Sequence, residues 1–531
     1  MEKKLYFGGT VLTMEEPLFC EALLTEDGRI LAVGTEEEVR RQAAGAEEIC
    51  LDGHTLMPAF IDAHSHFSAC ANAFLQGSVE QARSFDEIAE AIRTYIRENR
   101  IPAGKWVSVR DFDPEVLREG RVPDKTVLDQ ASSEHPIVLQ HKSGHVGVLN
   151  SLALKMAGIG GDTPDPEGGR IWKQDGEPTG YLEENAFIPV LHRLPPPSGE
   201  ELMAAYERAQ DMYASYGIAT IQEGFMSEEM IPVYRELCRT HGLKLDVVGY
   251  PGADTGERIY QAFPEAAKGY RDRFRLGGFK MFLDGSPQSR TAWMRTPYKD
   301  SEDFGYPVLT DEQVYRSTAM AVKSGRQILA HCNGDRAAKQ YLDALARLER
   351  EGEDPAAVRP VMIHAQLLGI DQIPELKRLG VIPSFFVAHV YHWGDAHIRN
   401  FGAERASAIS PAASAGRAGL SYTFHQDAPV IRPDMLETVW CAVNRRTRGG
   451  TVLGPEEGVT EEEALRAVTI RAAGQYFEEK EKGSLAPGKR ADLVILDRNP
   501  LKTEPESLRD LQVLETIKDG KTIYRRKEQM V

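Results

Sequence analysis

The chain has 531 residues, 42% of them hydrophobic, and a formal net charge of -17. This length fits one large domain with additions better than a single sandwich or three full domains. The acidic balance and the lack of a Lys/Arg cluster argue against a nucleic-acid partner, and six scattered cysteines without a C-x-x-C pair indicate neither a disulfide framework nor a zinc ribbon.

The opening stretch MEKKLYFGGTVLTM is charged and interrupted by Gly8 and Gly9, so it is not read as a signal peptide. No run approaches the ~20 apolar residues that cross a bilayer. A soluble, cytoplasmic protein with no membrane partner is the expectation. Residues 1–55 hold short strand-like runs, KLYFGGTVLT and RILAVG, and residues 483–531 repeat the pattern with GSLAPGKRADLVILD and ETIKDGKTIY. The two ends are expected to pair into one small β-sandwich.

The middle of the chain, 56–482, alternates apolar β-like runs with helical spans. The runs are TLMPAFID (55–62), GIATIQE (217–223), LKLDVVGY (243–250), GGFKMFLD (277–284), RQILAH (326–331), RPVMIH (359–364), GVIPSFF (380–386) and GLSYTFH (419–425). Eight such runs with helices between them predict an α/β fold, a (β/α)8 TIM barrel of parallel strands. WVSVRDF (106–112) and HPIVLQH (135–141) also look like strands, but fall in the long stretch at about 68–200. That stretch reads as an inserted α/β lobe over the barrel mouth.

Candidate chemistry collects at the ends of the runs. His64 and His66 stand one residue apart after an apolar stretch, and alternate side chains of a strand share a face. His331 and His364 each end an apolar run, and Asp427 follows GLSYTFH by two residues. Lys280 lies within an apolar strand, where an ammonium must be paired, desolvated or modified; Glu223 and Asp284 are the carboxylates at hand for an ion pair. Taken singly, His64 and His66 read equally well as a satisfied polar pair at a strand end, His331 and His364 read more readily as hydrogen-bonded strand-end histidines, and Asp427 has a turn aspartate as its alternative. In a parallel barrel all strand C-termini converge on one mouth, so the six residues would meet. Imidazoles with a carboxylate suit zinc or another divalent first-row ion.

The stretches PAFIDAHSHF, KMFLDGSPQSR, HCNGDRA, RPVMIHAQLL, HQDAP and GSLAPGKRADLVILD, in this order over nearly the whole chain, resemble the amidohydrolase superfamily. The resemblance is specifically to amidohydrolase family 3, the branch with N-substituted formamide deformylase-like enzymes. It implies a β-sandwich with a metal-bearing barrel, and two divalent metal ions, zinc being the first choice. His64 and His66 would hold the more buried ion, and His331 and His364 the more exposed one. A carbamylated Lys280 would bridge both. Asp427 would bind the first ion and move protons. The implied reaction is hydrolysis of a non-peptide C–N bond, in an amide or N-substituted formamide, by a hydroxide held between the ions. A cyclic-amide, deaminase or ester/lactone hydrolase on the same site, or a non-catalytic barrel scaffold, are the alternatives. A nucleotide-binding oxidoreductase is set aside because no G-x-G-x-x-G follows an early strand.

Two places depart from the resemblance. The last motif often reads Ser-Asp in related sequences, and here it is His425-Gln426-Asp427. His425 shares parity with Asp427, which makes it a candidate for substrate contact, against a supporting or packing role. SGHVGVLNSLAL matches a family segment through His145 and Asn150, but has Val148 where an aromatic is usual. His145 is a candidate to polarise the substrate carbonyl and Asn150 to touch substrate. Arg290 in GSPQSR could hold an acidic group. His392, in the aromatic stretch PSFFVAHVYHWGD, is a candidate wall residue for an apolar substrate; ordinary packing is the alternative for that stretch. A small-molecule substrate follows, and homo-oligomerisation is plausible for this size.

Overall fold

The computed structural model describes residues 2–114, 116–142, 146–166, 169–191 and 194–527. The chain divides into two compact units, 1–70 with 207–531, and 71–206.

In the first unit the chain ends meet in a six-stranded sheet. Its order is Lys521–Arg525, Val513–Lys518, Leu493–Leu496, Thr55–Pro58, Thr10–Leu12 and Phe19–Cys20. The antiparallel register Leu493↔Pro58 and Ile495↔Leu56 ties residues from opposite ends of the chain. A four-stranded sheet, in the order Arg29–Gly34, Ala22–Glu26, Lys3–Phe7 and Glu47–Cys50, completes this part. One core gathers Tyr6, Val11, Leu23, Leu56, Leu493 and Ile517 from both chain ends. Leu493–Leu496 and Thr55–Pro58, at the centre of the six-stranded sheet, are buried at every position.

The eight apolar runs supply parallel strands in chain order, and a ninth short strand, Phe274–Leu276, not among those runs, joins them. Phe60–Ile61, Ile218–Met226, Asp246–Pro251 and Phe274–Leu276 form one parallel sheet. Gly278–Phe282, Gln327–Cys332, Val361–His364, Ile382–Phe385 and Thr423–Phe424 form a second. The bridge Gly252↔Lys280 joins the two. Helices such as Asp311–Lys323 and Asp335–Arg350 follow the strands. Strands covered on both faces need no alternation, which is why Asp246–Pro251 is buried at every position. Gly278 is required: a Cβ there would lie 2.1 Å from the Gln327 carbonyl oxygen. Among the described residues the pairing ladder does not close into a ring. The backbone hydrogen bond from His66 N to Ala428 O, at 2.8 Å, links the segments that follow the first and last strands.

At the opposite strand ends an ion network ties the parallel strands to the sandwich sheet. Asp246 opens its strand and is 1% exposed. Its Oδ2 lies 2.6 Å from Lys482 Nζ and 2.7 Å from Lys518 Nζ. Lys518 also reaches Asp492 at 2.7 Å. Burial opposes the charge on Asp246, but the two lysines outweigh it and hold its carboxyl well below the ordinary carboxylate range. Removing one partner of such a network leaves uncompensated buried charge, so Asp246→Ala will lower unfolding free energy by about 3–5 kcal/mol in urea titration. The sign with pH follows from the depressed native value. The contribution is fully present above the unfolded value of ~3.9 and is lost as pH falls through the native one. The wild type will therefore lose stability in acid over a range where Asp246→Ala loses less.

The second unit carries a six-stranded sheet in the order Gly169–Gln174, Glu177–Glu184, Val146–Leu149, Ile137–His141, Val107–Phe112 and Gly77–Ser78. The helices Phe85–Glu98 and Lys125–Ala131 cover it through Ile88, Ile92 and Leu128. Ser84 and Asp124 cap these helices by accepting from Glu87 N and Thr126 N. Among the described residues no helix of the protein is long and apolar enough to cross a membrane.

Candidate metal centre and active site

The C-terminal ends of the parallel strands bring histidines, a lysine and an aspartate into one cluster. His64 is 1% exposed, and its Nε2 lies 3.3 Å from Lys280 Nζ and 3.4 Å from Asp427 Oδ1. His66 Nε2 lies 3.3 Å from the same carboxylate oxygen. His364 Nε2 is 3.8 Å from Asp427 Oδ2, and the His331 ring packs edge-on against His364 at 4.6 Å between centroids. His64, His364 and Asp427 each offer a ligand atom within 4.8 Å of the others. Strand 218–226 passes hard against this group: a Cβ on Gly224 would lie 2.6 Å from His64 Cε1.

The donor set fits divalent metal. Asp427 Oδ1 faces His66 Nε2 at 3.3 Å and His64 Nε2 at 3.4 Å, and His331 Nδ1 faces Asp284 Oδ1 at 3.3 Å, buried and loosely held contacts that a cation bound among these atoms would tighten. Burial, with the nearby cationic groups, holds the His64 and His364 imidazoles well below their ordinary pKa, so both present neutral rings, the form that binds metal. Burial disfavours ionised Asp427, yet the hydrogen bond and charge of His66, with His425 and Lys280, hold its carboxyl below the ordinary value.

Lys280 is 1% exposed, and burial pulls its ammonium down to about 7. Neither carboxylate considered for an ion pair is available to it. Glu223 Oε2 accepts from Ser68 N at 2.7 Å and Tyr234 Oη at 2.8 Å. Asp284 accepts from Asn333 N at 2.9 Å, Gly334 N at 2.7 Å and Trp293 N at 3.0 Å. Among the described residues no carboxylate lies within ion-pair distance of Lys280.

Two further expectations turn out differently, and two more residues are placed without their expected role being decided. His425 is fully buried, with Nε2 3.1 Å from His364 Nδ1 and Nδ1 2.9 Å from Ser384 Oγ. With both nitrogens engaged and no exposed edge, it supports His364 rather than touching substrate. Asn150 is also fully buried. Its Oδ1 accepts from Ile137 N and Ala153 N, capping the helix Ser151–Ala157, and its Nδ2 donates to Ser132 O and His135 O. Every polar valence is used within its own unit, so it is a structural cap and not a substrate contact. His392 has its ring nitrogens taken up by Glu437 Oε1 at 2.9 Å and Arg448 Nη2 at 3.2 Å. Its aromatic stretch is largely packing, since Phe385 and Phe386 are buried. Arg290 is exposed and donates from Nε to Asn400 Oδ1 at 3.0 Å. His145 lies outside the described residues.

Sequence reading did not single out Gln222, whose Oε1 lies 2.6 Å from His64 Nδ1. A fully buried polar residue inside the apolar run GIATIQE was the available signal. It also missed Phe282, whose ring lies 5.2 Å from Lys280 Nζ and 5.5 Å from the His331 ring.

This geometry accords with the likenesses to known proteins. A model described as amidohydrolase family matches residues 47–524, and the chain belongs to that family. It is an enzyme, a hydrolase of carbon–nitrogen bonds other than peptide bonds, and the family implies use of divalent metal. It is 30% identical to an N-substituted formamide deformylase of Arthrobacter pascens, covering 99% of both chains. It is 28% identical to a putative amidohydrolase of Bacillus subtilis, covering 98% of this chain and 99% of that one. An uncharacterized metal-dependent hydrolase from Pyrococcus furiosus has a solved structure that superposes with a TM-score of 0.75 at 26% identity, covering 94% of this chain and all of that one.

Proposed function

We propose that this enzyme hydrolyses an amide or N-substituted formamide of a small molecule, with two zinc ions held by His64, His66, His331, His364, Asp427 and a carbamylated Lys280 on a (β/α)8 barrel. The observation that carries the reading is the convergence of His64, His364 and Asp427, whose ligand atoms lie within 4.8 Å of one another, with His66 Nε2 3.3 Å from the same Asp427 oxygen and Lys280 Nζ 3.3 Å from His64 Nε2. The likeness to the formamide deformylase over the full length favours the amide class. When bound, the metal supplies an acidified water near neutral pH and polarises the substrate carbonyl.

The residues of the chain supply the rest. Asp427, 3.3 Å from His66 and 3.4 Å from His64, is an ionised carboxylate placed to take the proton of the attacking water and pass it to the departing nitrogen. Among the described residues Lys280 makes no ion pair, and addition of carbon dioxide to its amine would supply a negative charge and two oxygens suited to holding cations. The neutral rings of His64 and His364 hold their positions without competing for that proton.

The test is metal content set beside turnover. Freshly prepared protein is expected to carry about two zinc ions per chain and to cleave N-substituted formamides or N-acyl amines. Exhaustive chelation will abolish cleavage, and zinc with bicarbonate will restore it. Undiminished turnover by metal-stripped protein would sink the proposal.

A further inference from the structure

The hydrogen-bond chain behind His64 determines which nitrogen of that ring can bind metal. Ala63 O is a carbonyl and can only accept, and it lies 2.9 Å from Gln222 Nε2. The amide group facing it must therefore be the NH2. The second hydrogen of that NH2 goes to Tyr476 Oη at 2.8 Å, and Tyr476 donates its own proton to Asp62 O at 2.7 Å. With both donors committed, the Gln222 amide has one orientation. Its Oε1 faces His64 Nδ1 at 2.6 Å and can only accept. His64 must then carry its proton on Nδ1 and keep a lone pair on Nε2. Nε2 has two neighbours: Lys280 Nζ, a donor, at 3.3 Å in hydrogen-bond geometry, and Asp427 Oδ1, an acceptor, at 3.4 Å outside it.

We infer that Gln222, itself locked by Tyr476 and Ala63, is a positioning residue that holds His64 in the Nδ1-protonated tautomer and so aims Nε2 at the metal. This rests on the metal-centre reading above, though the tautomer itself does not require metal. The chain runs through residues 158 and 254 positions apart in sequence, and all its members are buried.

Gln222→Met tests the inference with little collateral damage. Ala63 O would keep its hydrogen bond from Gln475 Nε2 at 2.8 Å, and Tyr476 would keep Asp62 O. Only His64 Nδ1 would lose its acceptor. Zinc affinity, measured by competition with a chromogenic chelator, is expected to fall about 10–100-fold in Gln222→Met. The melting temperature of the metal-free protein should stay close to wild type.

A direct measurement needs no variant of Gln222. In metal-free wild-type protein labelled with 15N-histidine, the His64 ring, assigned through His64→Asn, will show Nδ1 protonated and Nε2 bare. The reverse tautomer would overturn the inference, whether or not Gln222→Met folds. So would zinc affinity in a folded Gln222→Met within about twofold of wild type. Wild-type protein that takes up no zinc would instead defeat the metal-centre reading, and the ring spectrum would still decide the tautomer.

Discussion

Asp427→Asn will fold, and its turnover of any substrate the wild type cleaves will fall by about 10²–10⁴-fold. The amide is nearly isosteric with the carboxylate but carries no charge at neutral pH and cannot take up a proton there. Asp427 is also a candidate ligand, facing His64 and His66 through one oxygen and His364 through the other. Metal content must therefore be measured beside kcat. A loss of kcat at metal loading close to wild type assigns the carboxylate to proton transfer. A loss that zinc addition repairs assigns it to metal binding alone. Near-normal kcat in a metal-loaded Asp427→Asn would remove the residue from the mechanism.

The second large effect is expected at Lys280, with opposite signs for function and stability. Lys280→Met will abolish detectable turnover and lower metal content, because the bridging oxygens proposed for its carbamate are gone. The same change should raise the stability of the metal-free protein by about 1–3 kcal/mol, since it replaces a buried amine that makes no ion pair among the described residues by an apolar chain of similar length. Urea titration of both metal-free proteins measures the gain, and intact mass before and after mild acid looks for one carbon dioxide on the wild type. A Lys280→Met protein less stable than metal-free wild type would mean that the contact of the amine with His64 Nε2 outweighs the cost of burying it.

Much of the candidate site was legible because its signals are local. His331 and His364 each close an apolar run, and the runs became strands Gln327–Cys332 and Val361–His364. His64 and His66 stand two apart, the spacing at which strand residues share a side, and both reach the same oxygen of Asp427. Lys280 was conspicuous as a charge within an apolar run. The helix cap at Asn150 was legible too, since an Asn directly precedes the helical SLALKMA, but the family segment drew attention to substrate instead.

What a strand pattern determines is residue type, side of the sheet and position at a strand end, since those follow from a period of two and from burial on both faces. Eight runs and their terminal histidines could therefore be read without coordinates. Hydrogen-bond partners are another matter. Whether His425 meets substrate or backs His364 depended on Ser384, and whether His64 offers Nε2 depended on Gln222, Tyr476 and a backbone carbonyl. Parallel strands bring such partners together across long loops, and no local pattern encodes the meeting. Only the tertiary structure decided it, because each buried donor must find an acceptor among whatever neighbours the packing supplies.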